Sequence, residues 1–383
     1  MRTRQPRARA VATAAALAVL TAPTACSSAP GEDEKSATSV SVAVLPPISQ
    51  PGGRPAAADD ASVVVSARFD PPSPGRDVTL EGSKDGRWVE VATAEVGGNG
   101  AATFAVPAAR ESAVASYRVV ADEAYGLAAV TSAEVDSDVW GAAAFDDEFD
   151  GTGLSKAWYH RGTEYNPEGL RLCSRGSADA VDVGGGVLSV QVIADPARTD
   201  PCVARKANGT PLGEFDYRLN GHIATKKFFL YGVSAARIKF QRQAGQHGSL
   251  WMQSDVGLEI DIVEYFGDGR DDKDDRLASF VYYPTPEGFV KEGDFIEDAG
   301  DYLADKSDDW WKRYHVFALE RTAEEYVIRI DGQEAWRTDQ GVSGHPEFII
   351  LSLLSSDYEL PNLPDEELLP QVMDVDWVRH WDS

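Results

Sequence analysis

Cysteine is scarce in this sequence of 383 residues: there are three, Cys26, Cys173 and Cys202. Without His partners at ligand spacing they build no closed zinc site, which excludes a Cys-rich metal scaffold. Basic residues are also few, 36 Lys and Arg against 62 Asp and Glu, for a formal charge of −26. Such a surface repels nucleic acid and polyanions and suits a neutral or cationic partner. The plainer reading is acidity that serves solubility. Helical periodicity is nearly missing, and the apolar stretch "AVATAAALAVLTA" at 10–22 is too short to span a bilayer.

What is present begins with Arg2, Arg4, Arg7 and Arg9 ahead of that stretch, the pattern of an export signal. At its end "PTACSS" sets Cys26 after small residues, as at a bacterial lipoprotein processing site. Residues 1–26 are therefore expected to be a leader. The exported protein would be tethered at the cell surface through lipid on Cys26, its one contact with a membrane, or be secreted after cleavage at a nearby Ala. Removing Cys26 leaves Cys173 and Cys202, an even pair in an oxidising compartment, and a disulfide between them is expected.

Residues 27–60, rich in Pro, Gly, Ser, Ala and charge, read as a disordered linker. From 61 to 135, short alternating runs such as "SVVVSARFD" and "DVTLEG", with "KDG" as a hairpin signal, predict a small antiparallel β-sandwich of immunoglobulin or fibronectin type. From 139 to 383 aromatics increase, and strand patterns recur in "GVSAARIKF", "GLEIDIVEYFG", "RYHVFALERT" and "DVDWVRHW". This portion predicts one large all-β domain, with a second Asp-Gly hairpin in "RIDGQEAW".

"GLEIDIVEYFG" at 257–267 puts three carboxylates into one apolar strand pattern. Alternation sets Glu259 and Asp261 on one face and Ile260 and Ile262 on the other. Strict alternation would bury Glu264 among the isoleucines, whereas a β-bulge absorbing Val263 returns it to the other two acids. Three readings compete for the cluster: a solvated strand face, a hard-metal site, and glycoside hydrolysis. Retaining hydrolysis needs a carboxylate nucleophile and a protonated carboxylic acid about 5–5.5 Å apart.

"EIDIVE" resembles the E-x-D-x-x-E signature, in its β-bulge form, of glycoside hydrolase family 16, which includes the laminarinases. "FDDEFDGTGLSKAW", "GGGVLSVQV", "YGVSAARIKF", "RYHVFALE", "RIDGQEAW" and "DVDWVRHW" follow in that family's order, so the resemblance covers about residues 145–381. It implies a curved antiparallel jelly roll with an open cleft and double-displacement chemistry that needs no cofactor. Glu259 is then the nucleophile, Asp261 its orienting partner and Glu264 the general acid/base. Trp251, Tyr282 and His247 are the substrate-contact candidates. Trp251 is otherwise a plain core residue, Tyr282 stands where a His often follows, and His247 replaces a frequent cleft Trp. Ala235 and Arg321 stand where members usually carry Glu and Trp. Asp376 matches a last-strand Asp that binds a structural Ca²⁺ in some laminarinase-like members, although an Asp there serves equally as a hydrogen-bonding residue.

The resemblance implies an endo-acting glycosidase on a polysaccharide, best a neutral β-1,3-glucan. A transglycosylase, an agarase-type hydrolase and a non-catalytic glycan-binding protein stay open as alternatives.

Overall fold

The computed structural model of the protein describes residues 35–107, 114–166, 169–268, 276–305, 307–364 and 366–383. Cys26 and the leader lie outside the described residues.

The expected linker over 27–60 is corrected from Ser39 onward. Ser39–Ser49 is a strand, antiparallel to Ser62–Asp70 from the pair Ser39↔Asp70 to Ser49↔Ser62. Its small residues suggest a linker by composition, yet "SVSVAVL" alternates with period two, and Val44 and Leu45 are buried. The register breaks around Pro47, where the ladder lacks an N–H donor. With Ala101–Val106 these strands form a three-stranded sheet. A second sheet runs Arg87–Glu95, Asp77–Lys84, Ser116–Ala121, Val130–Thr131. Phe69, Leu80, Phe104, Tyr117 and Val119 share the core of this small unit.

Most of the rest of the chain is one largely antiparallel sheet curled on itself, with 202–205 and 211–215 forming a separate pair. Its strands follow in the order 288–295, 277–285, 259–265, 247–254, 347–354, 218–225, 187–194, 371–382, 232–239, 315–321, 326–330, 333–338. The path turns through 218–225, which pairs with 347–354 on one side and 187–194 on the other. A large apolar core includes Leu250, Ile260, Phe317, Ile349, Val375 and Trp310. Asp331 and Gly332, both at positive φ (48° and 84°), make the expected hairpin. A Cβ on Gly332 would lie 2.3 Å from Val64, so this turn is also where the small unit approaches closely.

The two parts share a core. Leu45, Ile48, Ala58 and Val64 pack against Val233, Ala235, Val316, Trp377 and Trp381 of the large sheet. Ala235, placed where the family usually has Glu, is thus covered by the small unit. Arg237 donates to Gln50 O (2.7 Å) and Arg54 O (3.0 Å) and pairs with buried Asp376.

That pair gives Asp376 the hydrogen-bonding role that was the alternative to calcium, and the structure adds no support for the ion. Asp376 Oδ2 accepts from Arg237 and, at 3.0 Å, from the Ala56 N–H. The carboxylate tethers the chain entering the small unit to the large sheet. Among the described residues no group of three or more His, Cys, Asp or Glu is placed to hold a metal.

Candidate active site

Glu259–Tyr265 is flanked by 247–254 and 277–285, so its side-chain directions follow from two registers. Gln253 pairs with Glu259, Trp251 with Asp261, Leu250 with Val263 and Ser249 with Glu264. The unpaired residue on this side is therefore Ile262, not Val263 as expected. Ile262 and Val263 are both fully buried in the core, so the bulge sends two apolar neighbours to one face and releases Glu264 to the other. On the far side Asp261↔Phe280 is followed by Glu264↔Ala278, and Ser279 Oγ donates to the Ile262 carbonyl at 2.8 Å. The bulge keeps its backbone acceptor satisfied.

The three acids thus share one face with Trp251, Gln253, Phe280 and Tyr282. Burial, then the charges of Glu264 and Glu259, push Asp261 well above the usual carboxyl range. Burial and the charge of Glu264 also raise Glu259, against the opposing hydrogen bond from Gln253. Gln253 Nε2 donates to Glu259 Oε2 at 3.0 Å, and Arg161 Nη2 donates to Gln253 Oε1 at 2.7 Å. This chain aims the Gln253 amide so that it stabilises ionised Glu259. Arg161 lies 92 residues from Gln253, on a segment without a recognisable motif, and sequence reasoning missed both.

Trp251 is half-buried and its indole N–H donates to Ser352 Oγ at 3.0 Å. Its ring stacks on His222 at 5.9 Å and lies 5.2 Å below the Arg161 guanidinium. Burial, then the charges of Arg161 and Arg171, hold His222 well below the usual imidazole range. Tyr282 pairs with Glu259, and burial followed by the charges of Asp261, Glu264 and Glu259 raises its phenol. Of the substrate-contact candidates these two stay beside the acids and partly open.

His247 does not. It is buried at 3% exposure, with Nδ1 2.7 Å from Glu359 Oε2 and Nε2 3.6 Å from Glu264 Oε1. It lies beneath an acid instead of facing a sugar. Arg321 is likewise buried, against Glu347 at 3.5 Å, and donates to the Ser343 and His345 carbonyls.

Cys173 and Cys202 are disulfide-bonded, as expected. Asp357 accepts from the N–H groups of Cys173 (3.2 Å) and Arg205 (2.9 Å), which ties the bridge to the turn carrying Glu359. A hollow of about 190 Å³ bordered by Arg171, Asn220 and His222 opens beside this turn. A larger hollow of about 590 Å³ lies elsewhere, where Leu45 and Trp140 meet Arg379, and none of the acids lines it.

Residues 198–358 match Glycosyl hydrolases family 16. This part of the chain is a glycoside hydrolase domain similar to family 16. No curated protein matches the chain. Among solved structures, LamA from Zobellia galactanivorans in complex with laminaritriose and laminaritetraose is 15% identical at a TM-score of 0.50, covering 64% of this chain and 100% of that one. At that identity the likeness concerns the fold. The endo-β-1,3-glucanase from Pyrococcus furiosus gives 20% identity and a TM-score of 0.49, covering 63% and 94%. The laminarinase catalytic domain from Thermotoga maritima MSB8 gives 20% and 0.48, covering 64% and 98%. Hydrolases of this family need no cofactor for catalysis.

Proposed function

We propose that the domain is a retaining endo-glycosidase acting on β-linked glucan with β-1,3 bonds. The observation that carries this reading is the bulge at Ile262 and Val263, which sets Glu264 on one face with Glu259 and Asp261. Glu259 attacks the anomeric carbon, and Gln253 favours its ionised form. Glu264 protonates the leaving oxygen and then draws the proton from the water that cleaves the glycosyl-enzyme. Asp261, between them and buried, holds a proton to higher pH than an ordinary Asp and so spares the site a third negative charge. Trp251 and Tyr282 offer aromatic surface beside the acids to the C–H faces of a neutral sugar. Neutral glucan also agrees with the charge of −26.

The test is a screen of the purified protein on laminarin, mixed-linkage glucan, agarose and xyloglucan, following reducing ends and product lengths. Release from laminarin above the others is expected. Products longer than the substrate would assign transglycosylation, and inertness on all four would remove the substrate claim. The leader pattern further supports export with lipid on Cys26, which mass spectrometry of the membrane fraction tests directly.

A further inference from the structure

The His247 and Glu359 side chains have no part in the double displacement, yet both are buried directly behind one of its acids. Glu359 is 4% exposed and His247 3% exposed. Glu359 Oε2 meets His247 Nδ1 at 2.7 Å and also accepts from the Ser356 N–H at 3.1 Å, so its position is fixed twice. The other ring nitrogen lies 3.6 Å from Glu264 Oε1. With Nδ1 held by a carboxylate, Nε2 is the ring position left to address Glu264.

We propose that Glu359 and His247 form a buried charge couple that sets the protonation of Glu264, His247 being the positioning residue and Glu359 acting through it. The proposal rests on the assignment of Glu264 as the general acid/base.

The other groups around the ring bear on its sign. Glu359 comes from the 355–359 turn and Glu264 from the acid strand. The Phe266 ring lies 5.8 Å away. Arg171, His222 and Tyr358 are ionisable groups nearby, and the charge of Arg171 opposes an imidazolium. Burial is the largest influence and also opposes it, but Glu359 and Glu264 together outweigh both and keep His247 above the usual imidazole range. An imidazolium 3.6 Å from Glu264 is attracted to the carboxylate and not to the neutral acid, so the charge of the ring and the protonation of Glu264 are linked.

The expected effect of Glu359→Gln follows. Without the carboxylate the His247 ring loses the partner that favours its charged form, and the alkaline limb of kcat/KM on laminarin should move to higher pH. His247→Gln should move it the same way. KM should change little, because neither side chain faces the sugar. A purely structural role would instead lower kcat at every pH and leave the limb in place.

A second measurement does not depend on turnover. Proton NMR titration of the His247 ring in the full chain should give a midpoint above about 6.5, falling in both Glu359→Gln and Glu264→Gln. Glu264 is only half-buried, so the latter variant should fold. An unmoved His247 midpoint in Glu264→Gln, or an unmoved alkaline limb in a Glu359→Gln protein that melts like the parent, overturns the proposal. Coupled midpoints in a protein inert on every glycan would uphold the couple and reject the hydrolase reading of the site.

Discussion

Single residues in this site act through a neighbour that sequence distance conceals. Glu259, Asp261 and Glu264 were legible because they stand within six residues and alternation accounts for two of them. Which residue the bulge absorbs was not, since Ile262 and Val263 are both apolar and both fit the core. Gln253 and Arg161 lacked any local signal, as their relation to Glu259 exists only once three segments meet. His247 was misread as a sugar contact for the same reason: its partner Glu359 is 112 residues away. The Gln253 amide makes a prediction at this scale. It lowers the proton affinity of Glu259, so Gln253→Ala should raise that affinity, and the acid limb of kcat/KM should move to higher pH with the alkaline limb unchanged. An unmoved acid limb in the rate profile would show that the hydrogen bond does not govern the nucleophile.

At the scale of elements, the large sheet was readable from period-two patterns and Asp-Gly turns, and the strand Ser39–Ser49 was obscured by its small residues. The disulfide was readable from the cysteine count, which leaves an even pair once Cys26 is set aside. Its structural purpose was not, because Asp357 and Glu359 contribute to the site from a turn with no motif. Cys173 and Cys202 close a span with a sequence separation of 29 residues. Replacing both with Ser should cost roughly 3–4 kcal/mol of unfolding free energy by the loop-entropy account. Denaturant titration of the double variant checks this, and a midpoint equal to the parent's would contradict it.

For the whole molecule, the boundary between the small unit and the hydrolase domain is a shared core, not a flexible joint. Leu45, Ile48 and Val64 lie in one cluster with Val316 and Trp377, and Arg237 and Asp376 form an ion pair with side chains only 2% and 3% exposed. Asp376→Leu would leave the Arg237 charge buried without its partner, at a cost of about 3–5 kcal/mol, and adding Arg237→Met should recover much of it. Calorimetry of the parent should show one transition for both parts. Two separated transitions would mean that the shared core does not couple them.

The claim on which the rest depends is that Glu259 attacks and Glu264 moves the proton, and azide rescue tests it most directly. With an activated aryl β-glucoside of suitable length, Glu264→Ala should still form the glycosyl-enzyme, because the leaving group needs no acid. Azide should then enter on the side Glu264 vacates and yield a β-glycosyl azide. Glu259→Ala should form no covalent intermediate, and azide should give the α-product. Proton NMR of the two products distinguishes them by anomeric coupling. The α-azide from Glu264→Ala together with the β-azide from Glu259→Ala would contradict the account by reversing the two roles.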